Sequence, residues 1–474
     1  MTDLSAVADA EFDPRMSDSD ALMWNIEKDP LLRSTITMIM TLDRTPDRDR
    51  FTRRMERASR LVPRLRQRVL HHPLSIAPPR WEVDPNFDLH YHLRWMRAAG
   101  DGTIREVFDI AEPIAMQGFD RARPLWEFTV VEGLSDGGAA LIVKVHHSVT
   151  DGVGGMKLQM EMLDAEREPS PAPEDLELPE APRPLTPSER QRWIDATAYE
   201  AARQFGTARQ TAGSALGVLR RLAVDPVGVG TDALRTTASV GNMLKPATEP
   251  LSPLMAGRSL SVHFDTIRVP LRELKQASKV VSGRLNDGFV AGITGGFRRY
   301  HQHHGYDHVD ELRMAMPVNV RTDATASSVG NHFVPARFLV PIGLDDPIAR
   351  MTAIRELVAR QRAEPALALT EPLAGLLNRL PTTAVTGIFG SMLKGVDFIT
   401  SNVPGVPVPV YLAGARMESQ IALGPMSGSA ANAVLVSYLD DLNIGVNTDP
   451  VAIGDPEVLL DCIRDSFDEL LKLA

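Results

Sequence analysis

Seven prolines crowd the 21 residues from Glu168 to Ser188 (Pro169, Pro171, Pro173, Pro179, Pro182, Pro184 and Pro187), interleaved with acidic side chains. Each proline removes a backbone donor and fixes φ, so a packed helix or sheet strand cannot run through such a stretch. The chain must therefore fold on either side of it. Residues 1–167 read as a first lobe, 168–258 as a Pro-rich linker and helical connector, and 259–474 as a second lobe. A length of 474 residues is ample for two lobes with full cores.

Both flanking stretches alternate strand and helix patterns. In the first, Thr35–Leu42, Trp81–Asp84, Trp126–Val131 and Ala139–His146 are β-rich, while Asp49–Leu61 and Ile104–Met116 have helical spacing. In the second, Ser261–Val269, Leu312–Arg321, Phe333–Val340 and Phe398–Val403 read as strands, with Ala433–Tyr438 and Leu442–Val446 as a hairpin. Leu271–Ser282, Asn286–His304, Pro347–Arg362 and Asp455–Leu473 read as helices. The fold class is α/β (α+β), with mixed sheets flanked by helices. Between the lobes, Glu189–Leu222 and a weaker helix to about Leu244 either bridge them or lie on a membrane surface, bridging being the simpler reading.

One strand end carries chemistry. The apolar run Ala139–Val145 leads into His146-His147-Ser148-Val149-Thr150-Asp151-Gly152, then Val153-Gly154-Gly155, then helical spacing from Met156 to Leu163. An imidazole there, kept neutral with one nitrogen facing substrate, is a candidate general base. Its other nitrogen needs a carbonyl or carboxylate to hold its proton. Asp151 either orients His147 or anchors the turn by pairing with an arginine, and Gly152 to Gly155 let the backbone pass close to a ligand. On spacing alone, two core histidines with a capping aspartate fit equally well.

Several classes drop out. The single cysteine, Cys462, rules out an intramolecular disulfide and a cysteine metal cage, and a reducing cytoplasm is expected. The acidic N-terminal stretch lacks a signal-peptide pattern, and no run of about 18 uncharged apolar residues suggests a membrane span. A net charge of −10 argues against nucleic acid as a partner. There is no P-loop, no dinucleotide fingerprint and no Gly-x-Ser-x-Gly nucleophile elbow. The histidine-rich run Tyr300–His308 lacks a zinc motif, so no metal site is expected. Arg50, Arg53, Arg54, Arg57, Arg60, Arg64, Arg66 and Arg68 crowd one segment; they form either a solvated helix face or a patch for anionic headgroups or coenzyme A phosphates.

The stretch from His146 to Gly152 resembles the signature of bacterial wax ester synthase/diacylglycerol acyltransferases, members of the coenzyme A-dependent acyltransferase superfamily that includes chloramphenicol acetyltransferase. Further ordered elements resemble that family: Arg123-Pro124-Leu125-Trp126-Glu127, Asn286-Asp287, Met316-Pro317-Val318-Asn319-Val320-Arg321, Gly330-Asn331, and Ser401-Asn402-Val403-Pro404-Gly405. The likeness runs from about Asp20 to the C-terminus. It implies two chloramphenicol-acetyltransferase-like lobes with a tunnel between them, entered by acyl-CoA and an alcohol from opposite ends. It implies a fatty acyl transfer from acyl-CoA, as co-substrate and with no cofactor, to a fatty alcohol or diacylglycerol, and association with a membrane or lipid-droplet surface from the cytoplasm.

By the same likeness, His147 is the base beside His146, Asp151 is mainly structural, and no acyl-enzyme forms. Asn286 is the candidate oxyanion donor, with helix capping as its alternative. Gly152, Gly154, Ser401 and Asn402 would lie along the substrate path, the last two in a tight turn with Gly405. Pro124-Leu125-Trp126 would shape the lobe. Departures at Ser148, Thr150, Gly288, Phe289, Asn319 and Val406 bear on acceptor choice. The alternatives are a relative acting on another acceptor, such as a polyketide hydroxyl or an amine, and a non-catalytic lipid-binding homologue.

Overall fold

The computed structural model describes residues 14–70, 77–149, 158–169, 176–184, 188, 190–203, 246–247, 249–319, 333–362 and 370–474. The helices named below are α1 (Asp18–Ile26), α2 (Arg48–Leu61), α3 (Ile104–Met116), α4 (Leu271–Lys279), α5 (Leu285–His303), α6 (Pro347–Arg362), α7 (Thr370–Leu377), α8 (Thr382–Leu393) and α9 (Pro456–Leu471). The strands are β1 (Thr35–Leu42), β2 (Gln67–Leu70), β3 (Arg80–Val83), β4 (Leu93–Arg97), β5 (Trp126–Glu132), β6 (Ala139–His146) and β7 (His263–Pro270). They continue with β8 (Glu311–Asn319), β9 (Phe333–Pro341), β10 (Phe398–Val403), β11 (Tyr411–Leu412), β12 (Ala415–Leu423), β13 (Ala431–Tyr438) and β14 (Asp441–Thr448).

Two six-stranded mixed sheets organise the molecule, in the orders β11-β12-β1-β6-β5-β4 and β7-β14-β13-β10-β8-β9. The sheets do not follow the halves of the sequence. β11 and β12, from far beyond the linker, complete the first sheet, where β12 runs antiparallel to β1 with Thr37 opposite Leu423. The interdigitation continues in the helices: α7 and α8 place Ala374 and Val385 against Leu22 and Ile26 of α1.

The first sheet is buried on both faces, which is why β5 and β6 read as apolar runs rather than alternating ones. Met40, Trp126, Phe128, Leu141 and Val145 pack with Phe51 and Met55 of α2. On the opposite face, Ile39, Val131, Ala140 and Ile142 pack with Val107, Phe108 and Ala111 of α3, and Val262, just before β7, and Phe264 within it join them. The second sheet forms its own core with α5, α6 and α9. There Gly296 presses on Ile463, and a methyl group at residue 296 would sit 2.7 Å from the Ile463 Cα.

The two sheets meet where β12 crosses β13 and β14. Gly445 of β14 lies against the Ala422 carbonyl, and a Cβ there would collide with it, so only glycine allows this approach. Beside it, Arg105 of α3 donates to Phe264 O and pairs with Glu112, whose carboxylate accepts the Phe264 N–H at 2.9 Å.

Much of the arginine-rich segment is turned inward rather than forming a solvated face or an open anion patch. Arg50, Arg54 and Arg64 are buried. Arg54 reaches Asp164 at 2.6 Å and Arg50 reaches it at 3.5 Å, while Arg60 and Arg66 share Glu56 at 2.6 Å. Arg64 and Arg66 lie over the rings of Trp81 and Phe87. The carboxylate at Asp164 arrives from over a hundred residues away, so charge counting along the segment missed it.

In the connector, residues 190–203 are helical and residues 204–245 lie outside the described set. The helix is tied to the first lobe by Arg80–Asp195 (2.8 Å) and Arg192–Glu82 (3.2 Å), and to the second half of the chain by Arg379–Glu200 (2.9 Å). Among the described residues, no helix is long and apolar enough to cross a membrane.

Candidate active site

β6 lies between β1 and β5 and ends on the histidine pair. Its register sets Thr35 opposite His146 and Thr37 opposite Lys144, so these four side chains share one face of the sheet. The His146 N–H donates to Leu125 O at 3.0 Å and the His147 N–H donates to Ser34 O at 2.9 Å. The Pro-Leu-Trp element thus anchors the backbone of the pair. It is itself locked: Leu125 and Trp126 are fully buried, the Trp126 indole donates to Leu65 O at 2.8 Å, and the His92 ring stacks on it at 4.5 Å.

His146 has a defined tautomer. Its Nδ1 accepts the Ser148 N–H at 3.1 Å and the Ser148 hydroxyl at 2.7 Å. A backbone N–H only donates, so the proton of His146 sits on Nε2, where it is given to Glu27 Oε1 at 2.9 Å. Glu27 directly follows α1. Its Oε1 also accepts the Ser34 N–H at 2.7 Å, and Arg121 stands 3.5 Å from its Oε2. Burial pushes the Glu27 carboxyl up, but the hydrogen bond from His146, the Ser34 amide and Arg121 together hold it below its ordinary value.

His147 is partly buried. Desolvation drives its pKa down to about 4, against the opposing pull of a hydrogen bond to its own backbone. His147 is therefore neutral at physiological pH, with one ring nitrogen able to accept a proton.

Lys144 completes the polar corner of this face. It is fully buried, its Nζ is 3.9 Å from Glu127 Oε2 and 4.4 Å from the centre of the Phe119 ring, and burial lowers its pKa to about 8. At the seam a pocket touches Thr35 and Thr37 of β1, Met116 of α3, Phe264 of β7, Ser427 and Asn447. Residues of both lobes line it, on the same sheet face as His146.

The other site expectations fare unevenly. Asp151, Gly152 and Gly154 lie outside the described residues. Asn286 does not cap its helix. The N-cap is Arg284, whose N–H is taken by the Asp287 carboxylate at 2.7 Å. The partly buried Asn286 instead turns its Nδ2 toward Met316 Sδ of β8, at 3.6 Å. Ser401 and Asn402 are not turn residues: they belong to β10, opposite Val434 and Leu435 of β13, and Asn402 is exposed. Sequence reading missed Glu27 altogether. It stands 119 residues from His146, and no local spacing links the two.

The wax ester synthase/diacylglycerol acyltransferase catalytic domain model matches residues 16–289, and the model of the C-terminal domain of the same proteins matches residues 329–471. A putative diacylglycerol O-acyltransferase of Mycobacterium tuberculosis is 39% identical over 99% of this chain and 94% of its own length. A probable diacylglycerol O-acyltransferase of the same organism is 25% identical over 90% of this chain and 89% of its own. Among solved structures, a wax ester synthase/diacylglycerol acyltransferase from Marinobacter aquaeolei superposes with a TM-score of 0.61 at 21% identity, covering 96% of this chain and 98% of that one. The first condensation domain of the calcium-dependent antibiotic synthetase superposes at 0.58 with 14% identity, covering 98% of this chain and 97% of that one.

Proposed function

This chain belongs to the wax ester synthase/diacylglycerol acyltransferase family, and we propose that it transfers a fatty acyl group from acyl-CoA to the hydroxyl of a diacylglycerol or a fatty alcohol, with His147 as general base. It is an acyltransferase. The observation that carries the proposed mechanism is the placing of His147 at the end of β6, its backbone held to Ser34 O at 2.9 Å and its ring desolvated enough to stay neutral.

The alcohol oxygen attacks the thioester carbonyl carbon while the neutral His147 ring takes the hydroxyl proton. The carbonyl becomes a tetrahedral oxyanion. Its collapse breaks the carbon–sulfur bond, and the departing CoA thiolate takes the proton back from His147, leaving ester, free CoA and a neutral ring. No covalent enzyme intermediate is needed, because holding both substrates together supplies much of the rate. We assign Asn286 as an oxyanion donor, Asp151 as a support of the turn, and Gly152, Gly154, Ser401 and Asn402 to the substrate path. The low pKa of His147 favours release of the proton to the thiolate, at the cost of weaker basicity in the first step.

Insoluble products call for a lipid interface, and we assign peripheral docking to the connector helix. Its Trp193 and Ile194 are exposed at 52% and 47%, whereas Arg50, Arg54 and Arg60 of α2 are paired with carboxylates of the protein. The test of the reaction is free thiol release from acyl-CoA by the purified chain. Release is expected only with an alcohol or diacylglycerol present, and to be lost in His147→Ala. Alcohol-independent release, or full activity in that variant, refutes the proposal.

A further inference from the structure

Two hydrogen bonds converge on one carboxylate, and a third links them to His147. Glu27 Oε1 accepts from His146 Nε2 at 2.9 Å and from Ser34 N at 2.7 Å, and the same Ser34 gives its carbonyl to the His147 N–H at 2.9 Å. A single residue, Ser34, is thus held at its amide by Glu27 and holds the backbone of His147 at its carbonyl. The Glu27 side chain is only 10% exposed and that of His146 1%, so these contacts are shielded from water. Trp24 and Phe119 close on the His146 ring edge-to-face at 5.8 and 6.2 Å, leaving it no freedom to turn away.

We infer that Glu27 is a positioning residue for the acyl transfer: it fixes the His146 tautomer, clamps the backbone of His147 through Ser34, and supplies the buried negative charge that steadies the imidazolium His147 becomes during the reaction. The inference rests on the reading of His147 as the base. A carboxylate that only filled a helix end would not need to span α1, the entry to β1 and the end of β6 at once.

The charges around the pair fit the role. Arg121, stacked on Trp24 at 4.1 Å, approaches the outer oxygen of Glu27 and leaves the inner one to the histidine. Lys144, on the same face of β6, is balanced by Glu127, which Arg94 also reaches at 3.1 Å. Arg33 is turned toward Met116 O of α3. Among these described groups, Glu27 is the carboxylate hydrogen-bonded to the histidine pair.

The experiment compares the full-length wild type with Glu27→Gln, Glu27→Asp and His147→Ala at neutral pH, following alcohol-dependent CoA release and the downfield imidazole N–H proton resonances. Glutamine keeps an acceptor in the same place but removes the charge. The expected result is a kcat about tenfold lower or more with KM within about twofold, partly restored in Glu27→Asp, and an upfield shift of the carboxylate-bonded His146 N–H. A wild-type kcat in Glu27→Gln, or a loss confined to KM, overturns the inference. Should Glu27→Gln fail to fold, Glu27→Asp decides: its shorter reach lowers kcat at constant KM if the inference holds, and leaves kcat unchanged if it fails. His147→Ala separates the two readings, since activity there removes the base itself, while an inactive His147→Ala beside a fully active Glu27→Gln removes only the role of Glu27.

Discussion

Activity should survive acidification well beyond the point where an ordinary histidine base is lost. With its pKa near 4, His147 is about nine-tenths neutral at pH 5, whereas a histidine at 6.5 would be only about 3% neutral, so the two cases differ by roughly thirtyfold in competent enzyme. The assay is kcat/KM for alcohol-dependent CoA release at pH 5 and pH 7.5, read as initial rates. Stability moves in the same window and must be tracked. The buried His92, whose Nδ1 donates to Trp126 O, is likewise depressed to about 4. A histidine whose folded pKa lies below its unfolded value stabilises the fold fully above pH 6.5 and progressively less as the pH falls toward 4. At pH 5 the loss is about 2 kcal/mol for each of the two, a substantial part of a typical 5–15 kcal/mol. Tryptophan fluorescence over the assay reports whether the fold holds. A thirtyfold fall in kcat/KM at pH 5 with the fold intact would refute the assignment of a desolvated, neutral base.

Two further outcomes test the electrostatic frame. Asp164→Ala should cost about 3–5 kcal/mol in urea unfolding, because it strands the buried guanidinium of Arg54 and loosens that of Arg50; a loss below about 1 kcal/mol contradicts the structural role given to these arginines. Binding to vesicles of anionic phospholipid should persist at high salt and weaken in a Trp193→Ala, Ile194→Ala double variant, since apolar rather than ionic contact is expected to carry it; binding abolished by salt returns the task to exposed basic groups.

Much of the fold was legible because hydrophobic period and strand register agree. β1, β6, α3, α6 and β10 begin and end where the pattern places them. Short or partner-dependent elements were not legible: β4 carries charged residues at both its second and last positions, and β12 has nothing in its own residues to say which sheet it joins. At the site, His146 and His147 stood out because a polar pair ends an apolar strand. Glu27 did not, since a glutamate after a helix is ordinary until the fold sets it against an imidazole. Asn286 and Asp287 were adjacent and chemically alike, and only the helix start shows that the aspartate takes the capping bond while the asparagine faces β8. The arginines misled for the same reason Glu27 hid: a charge is read by its partner, and Asp164 is remote in sequence.

The pairing of β1 with β12 has a consequence for biosynthesis. During translation, β1 emerges roughly 380 residues before the strand that covers its edge, Thr37 waiting for Leu423. Until then β1 offers bare amides and carbonyls along that edge, open to pairing with any neighbouring nascent chain. The N-terminal half cannot mature alone, and a product truncated after the linker should collect as aggregate rather than as a smaller working enzyme.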